Sequence, residues 1–335
     1  MKSIVIQQPN QLDIEHRPLP QPSENEVRVA VRNASICGSD VHIWHGHNPF
    51  AKYPRVIGHE FAGIIDAVGE GVAASRIGER VAIDPVVNCG ECYPCKVGKP
   101  NVCKSLSVIG VHRDGGFSEY ACVPQKSAWK LPDTISDEYA SLIEPFTIGA
   151  NICSKMQPTE LDIALIYGAG PMGLTSTQVL KHVYNVKKVI VVDRVPERLK
   201  LALINGADQV IDNSKISLKE QLTDEPTLII DAACHPDILT EAIALISPAG
   251  RIGLLGFSDV AGTLVQKDIT SKELTIFTSR LNSNKFPVVM SWIASGLIYP
   301  EKLVTHHFPL DDIRNAMTLF EEDPHSCCKI IISIK

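Results

Sequence analysis

The chain has 335 residues, 44% of them hydrophobic and 21% charged, with a net charge of −6. That length fits two domains with sizeable cores, and an acidic balance without any basic tract argues against a nucleic-acid partner. No apolar run approaches the roughly 18–20 residues that span a bilayer, and "MKSIVIQQPN" at the N-terminus has no apolar stretch of the secretory type. A cytoplasmic protein with no membrane partner is expected. In that compartment clustered cysteines bind metal more often than they form disulfides.

The first 150 residues or so read as β-rich. "EVRVAVRNAS", "FAGIIDAVG" and "RVAIDPVV" are short alternating or apolar segments that end at Gly, Pro or Asn. Within this region "CGECYPCKVGKPNVC" holds Cys89, Cys92, Cys95 and Cys103, four of the ten cysteines, in the spacing C-x2-C-x2-C-x7-C. Four thiolates so spaced can close a tetrahedral zinc site with no vacant position, which stabilises a lobe but offers a substrate nothing. An iron–sulfur cluster is the competing metal reading, and a set of buried free thiols the bland one. Cys37 in "ICGSDVH" and His59-Glu60 in "VIGHEFAG" are far less conspicuous. By residue type alone they read as a small buried hydrophobe and a satisfied polar side chain.

From about Thr159 the texture changes to alternating apolar runs and helical patterns. "LDIALIYGAG" leads into the helix "PMGLTSTQVLKHVYN". "KKVIVVDR" precedes "VPERLKLALING", and "PTLIIDAA" precedes "PDILTEAIALIS". "GRIGLLGF" and "ELTIFTSR" add further strands. Such alternation predicts an α/β fold with a doubly wound parallel sheet. The tail carries two helical patterns, "FPVVMSWIASG" and "DDIRNAMTLFEED", and a last strand, "CKIIISI". We assign residues 1–150 and 285–335 to the β-rich domain and 151–284 to the parallel-sheet domain.

Gly168, Gly170 and Gly173, with Pro171 and Met172 between them, form G-x-G-x-x-G where a predicted strand meets a helix. A glycine turn there lets backbone N–H groups approach a pyrophosphate at the positive end of the helix. Asp193 lies 20 positions past Gly173, at the end of "VIVVD", where a carboxylate accepts hydrogen bonds from ribose hydroxyls and repels a 2′-phosphate. This favours NAD; Arg194 beside it is the one feature that would suit NADP.

"GHEFAGIIDAVGEGV" fits G-H-E-x-x-G-x5-G-x-x-V and resembles the zinc signature of the medium-chain alcohol and polyol dehydrogenases. Cys37-Gly38-Ser39-Asp40 with His42, the four-cysteine lobe and the GAGPMG-to-Asp193 unit follow in that family's order, so the similarity covers the whole chain. The sorbitol and threonine dehydrogenase branch is the most similar. "HNPFAKYPRVIGHE", "IEPFTIGAN", "IIDAACHP" and "SRLNSNKFPVV" further resemble the bacterial starvation-sensing dehydrogenase group, associated with sugar-acid oxidation of the L-gulonate 5-dehydrogenase type.

The resemblance implies a GroES-like catalytic domain beside a Rossmann domain, one catalytic and one structural zinc, NAD, and a homodimer or homotetramer. It makes Cys37 and His59 ligands of the catalytic zinc, with Glu60 a ligand or a neighbour exchanging with water. Glu144 in "IEPFT" takes the place of a second cysteine, directly or through water. Ser39 would bond the alcohol oxygen and His42 would relay its proton. Leu255, Gly256 and Ser279 would line the nicotinamide, and Arg280 would meet the substrate, where its fork could pair with a carboxylate. The implied reaction is hydride transfer from a secondary alcohol of a polyol or sugar acid to NAD, with sorbitol- or threonine-type oxidation as the alternative. A NAD-binding regulator without turnover is the rival from another class. His47, Phe50 and His112 lie in loops with no assigned role. Cys122, Cys153, Cys234, Cys327 and Cys328 show no ligand pattern, and Cys327 and Cys328 read as packing residues.

Overall fold

The protein is described here by a computed structural model covering residues 1–258, 260–323 and 325–334. It divides into two compact units: Met1–Glu144 with Phe286–Ala294 and Val304–Lys335, and Pro145–Lys285 with Ser295–Leu303. Among the described residues no helix is long and apolar enough to cross a membrane.

The first unit is organised by the strand Glu26–Ser35. Its alternating sequence buries Val27, Val29 and Val31 completely on one face, each contributing about 1.5–3 kcal/mol of apolar burial. Antiparallel partners are Glu60–Val68, Tyr120–Pro124 and the C-terminal strand Lys329–Ser333. Ser35 stands opposite Glu60 on one side and Ile331 on the other. This register brings three chain segments that are distant in sequence to one end of the central strand. The short helix Gly38–Trp44 starts three residues later.

The second unit contains a parallel sheet of six strands: Ile163–Tyr167, Lys188–Asp193, Gln209–Asp212, Leu228–Asp231, Arg251–Leu254 and Thr275–Thr278. Their spatial order is third, second, first, fourth, fifth, sixth, which is the dinucleotide-fold order. Leu165, Ile190, Ile229 and Ile252 are fully buried in its core, as continuous apolar strands in a two-sided sheet require.

Several local differences from the sequence expectation have physical causes. The helix expected over 171–185 is α-helical only through Pro171–Gln178 and widens to a π turn over Val179–Val183. Strands Gln209–Asp212 and Val304–Pro309 escape the reading because the first is four residues long and the second carries two adjacent histidines. Ser295–Leu303, expected with the first domain, clusters with the second unit. There Gln178 Nε2 donates to Tyr299 O at 3.0 Å, and the Tyr299 amide donates to Gln178 Oε1 at 2.7 Å.

Candidate metal and dinucleotide sites

Cys37 ends the turn after the central strand and caps the helix Gly38–Trp44, while His59 and Glu60 open the neighbouring strand. One ligand atom from each of Cys37, His59 and Glu60 lies within 4.8 Å of the other two. The organiser is Asp40, which is fully buried. Its Oδ2 accepts from the Cys37 amide at 2.9 Å and its Oδ1 from the Gly58 amide at 3.1 Å. The same Oδ1 faces His59 Nδ1 at 3.6 Å. Nδ1 therefore points at a carboxylate, and Nε2 is the nitrogen left for a ligand, the arrangement that orients a metal-binding imidazole. The sequence assigns Asp40 no role, because a single acidic residue in a helix's first turn looks like an ordinary cap.

Glu60 is held from behind. Lys329 Nζ lies 2.5 Å from its Oε1, and Ser35 Oγ donates to Oε2. Lys329 also donates to Ile36 O at 2.9 Å and is 1% exposed. No motif announces Lys329. The available signal was a lysine at the head of the otherwise apolar "KIIIS", where a buried charge requires a partner. Glu144 lies outside the mutually close trio, buried at the start of the helix Ile143–Met156. Burial pushes its carboxyl up to about 8, with His59 pulling it down and Glu60 raising it. Burial disfavours a charged His59 ring, yet Asp40 and Cys37 together hold its pKa well above the ordinary value. The surroundings thus favour positive charge at this spot, and a thiol, an imidazole and buried carboxylates are the donor set of an open zinc site. Ser39 is half-buried and His42 exposed on the helix that Cys37 caps. The Phe50 and His112 rings are 6.3 Å apart.

The four-cysteine lobe is a separate cluster. Sγ–Sγ distances are 3.5 Å for Cys92–Cys95, 3.7 Å for Cys92–Cys103 and 3.5 Å for Cys89–Cys103. A tetrahedron with Zn–S bonds of about 2.3 Å has an edge of about 3.8 Å, close to this spacing. The Cys89 and Ser105 amides donate to Cys103 Sγ at 3.4 and 3.3 Å, although burial and the neighbouring Cys89 and Cys92 thiols raise it to about 11, whereas the Lys104 and Cys95 amides pull Cys92 down to about 6. Amide donors favour thiolates, the form that binds metal. The four sulfurs occupy every corner.

In the second unit, the candidate dinucleotide residues share the C-terminal edge of the parallel sheet. Gly168 has φ +93°, and Gly170 has open space where a Cβ would stand. At Gly173 a Cβ would lie 1.8 Å from Gly168 O. The turn needs glycine for its conformation and its closeness to the helix, and it leaves the outer face clear for a pyrophosphate. Pro171 and Met172 open the helix behind it. Asp193 Oδ2 accepts from the Ala169 amide at 2.7 Å and Oδ1 from the Val195 amide at 2.9 Å, fixing the carboxylate beside the turn. Arg194 is exposed. Leu255 and Gly256 follow the fifth strand and Ser279 the sixth, with Ser279 Oγ accepting from Asn151 Nδ2 at 2.8 Å. The Arg280 guanidinium stands 5.7 Å from the Phe257 ring centroid.

Comparison with known proteins agrees with both halves of the chain. Residues 23–133 match the alcohol dehydrogenase GroES-like domain, and residues 171–295 match the zinc-binding dehydrogenase domain. The chain is 62% identical to the starvation-sensing protein RspB of Escherichia coli K12, over 99% of both chains. It is 34% identical to the L-galactonate-5-dehydrogenase of the same organism, over 92% of both. A crystal structure of rspB from Escherichia coli CFT073, complexed with NADH, superimposes with a TM-score of 0.97 at 60% identity, covering 100% of this chain and 99% of that one.

Proposed function

Because the chain belongs to the zinc-binding, GroES-like alcohol dehydrogenase family, we propose that it oxidises a secondary alcohol of a sugar acid, in the manner of an L-gulonate 5-dehydrogenase. It is an NAD-dependent, zinc-type alcohol or polyol dehydrogenase. The observation that carries the reading is the trio Cys37, His59 and Glu60, assembled by Asp40 and Lys329 beside the buried Glu144. Zinc and NAD, when bound, supply Lewis acidity toward the alcohol oxygen and an acceptor for the hydride.

The chain's own residues do the rest. Cys37 and His59 would hold the metal, with the ring kept in orientation by Asp40. Lys329 and Ser35 restrain Glu60, which would serve as a further ligand or as a neighbour exchanging with water. Ser39 hydrogen-bonds the substrate hydroxyl and relays its proton by giving up its own as it accepts the substrate's, and His42, exposed on the same helix, receives that proton and releases it to water. Backbone amides of the Gly168–Gly173 turn receive the pyrophosphate, and Asp193 selects NAD over its 2′-phosphorylated form. Arg280 meets the substrate carboxylate with two parallel N–H donors. The name L-galactonate-5-dehydrogenase, borne by a relative, supports an aldonate substrate.

The test is NADH formation by the zinc-loaded protein with L-gulonate, sorbitol and L-threonine, in the parent and in Arg280→Ala. L-gulonate is expected to have the highest kcat/KM, and the substitution should cost it at least about tenfold, or 1.4 kcal/mol, while sparing sorbitol. Preference for sorbitol or L-threonine, or an equal loss for all three, would remove the sugar-acid assignment.

A further inference from the structure

The first unit holds a cavity of about 370 Å³ lined by Met1, by residues within 17 to 20, by Arg55 and Val56, and by residues within 113 to 122. None of its lining residues is a candidate metal ligand. Its charged lining residues are three arginines, Arg17, Arg55 and Arg113, and one carboxylate, Asp114. Asp114 divides its two oxygens between them: Oδ2 accepts from Arg17 Nη1 and Oδ1 from Arg55 Nη1, each at 3.0 Å. Arg113 pairs with Glu26. A fourth guanidinium stands just behind: Arg28 donates to Pro20 O at 3.0 Å, lies 5.6 Å from the Tyr120 ring centroid and is paired with Asp66. Four guanidiniums therefore face three carboxylates.

We propose that this cavity binds a small phosphomonoester, with Arg17, Arg55 and Arg113 as its donors. The chemistry of the wall selects that class. A monocarboxylate would bring one charge and two oxygens, which is what Asp114 already supplies. A phosphomonoester brings about two charges and three terminal oxygens, enough to serve three guanidiniums at once. The volume lies at the small end of ligand cavities and suits a sugar phosphate rather than a nucleotide. Pro18 and Pro20 give one wall a rigid backbone.

Hydrogen bonds join the cavity wall to the segment that leads to the candidate metal ligands. Asp114 Oδ1 also accepts from the Val56 amide at 3.2 Å, and the Gly115 amide donates to Val56 O at 2.8 Å. Val56 is three residues before His59. A phosphate that draws Arg17 and Arg55 from Asp114 acts on the segment that carries His59 and Glu60.

Calorimetric titration of the zinc-loaded protein at low ionic strength tests this, with saturating NADH present to fill the dinucleotide turn. The probes are glucose 6-phosphate and inorganic phosphate, and glucose serves as the uncharged control. Saturable binding of glucose 6-phosphate is expected with a Kd on the order of 1 mM or tighter, with inorganic phosphate weaker and glucose inert. Arg17→Gln and Arg55→Gln should each raise the Kd about tenfold or more. Asp114→Asn, which removes the competing carboxylate, should lower it. The Asp114→Asn arm holds even if Arg55→Gln fails to fold, because a merely structural Asp114 would weaken binding or leave it unchanged. Absence of saturable binding, or binding indifferent to Arg17→Gln and Asp114→Asn, would overturn the proposal.

Discussion

Lys329 and Glu60 form a buried ion pair one sheet strand away from Cys37, and each is 1% exposed at its side chain. Removing one partner of such a pair leaves an uncompensated charge, costing about 3–5 kcal/mol. Lys329→Met should therefore lower stability by that order in chemical denaturation and reduce zinc content together. The double variant Lys329→Met/Glu60→Gln should recover much of the stability but not the metal. Asp162, far from the metal ligands in sequence, gives a pH dependence of its own. Burial opposes its ionisation, but Thr227 Oγ1, the Thr159 amide and Arg251 Nη2 outweigh that and hold its carboxyl below the usual range. A native pKa below the unfolded one stabilises fully above the unfolded value of about 3.9 and is lost as pH falls through the native value. Asp162→Asn should thus lower the neutral-pH Tm, with a cost of about 1–3 kcal/mol for unmade hydrogen bonds, and flatten the loss of stability below pH 4. An acid limb as steep as the parent's would contradict this.

At the scale of elements, the strand-to-helix turn Gly168–Gly173 and the four-cysteine lobe make separable claims. A Cβ at Gly173 would sit 1.8 Å from Gly168 O, so Gly173→Ala must displace the helix start. It should weaken NADH binding at least about tenfold, with zinc content unchanged. Cys92→Ser should lower Tm and zinc content while the folded fraction keeps its turnover per catalytic zinc, because the lobe holds no reacting group. Normal stability with lost turnover would place that lobe in the reaction. The Rossmann strands were legible because two-sided burial writes each as an unbroken apolar run, "IALIY" or "VIVVD". The turn was legible because its glycines are required by φ and by contact. The Cys37–His59–Glu60 trio was legible only through family resemblance: its members are brought together by the register of Glu26–Ser35 with Glu60–Val68, and nothing local encodes a register. For Lys329 the only signal was a lysine heading the apolar "KIIIS", and Asp40 looked like an ordinary helix cap; neither reads as a site residue, since their importance lies in what they face across the sheet and helix.

For the whole molecule, the two units divide the chemistry. One carries the candidate metal donors and the cavity proposed for a phosphomonoester, the other the candidate dinucleotide turn, and the second has its own buried core. Turnover requires that the catalytic metal be held by the inconspicuous Cys37 rather than by the conspicuous cysteine lobe. The most direct test is zinc stoichiometry measured together with NAD reduction and Tm in Cys37→Ala. The expected result is loss of one zinc per chain and of turnover, with the lobe zinc and most of the Tm retained, since a structural site is closed by its own four thiolates. A Cys37→Ala protein that keeps its full zinc content and continues to reduce NAD would contradict the assignment.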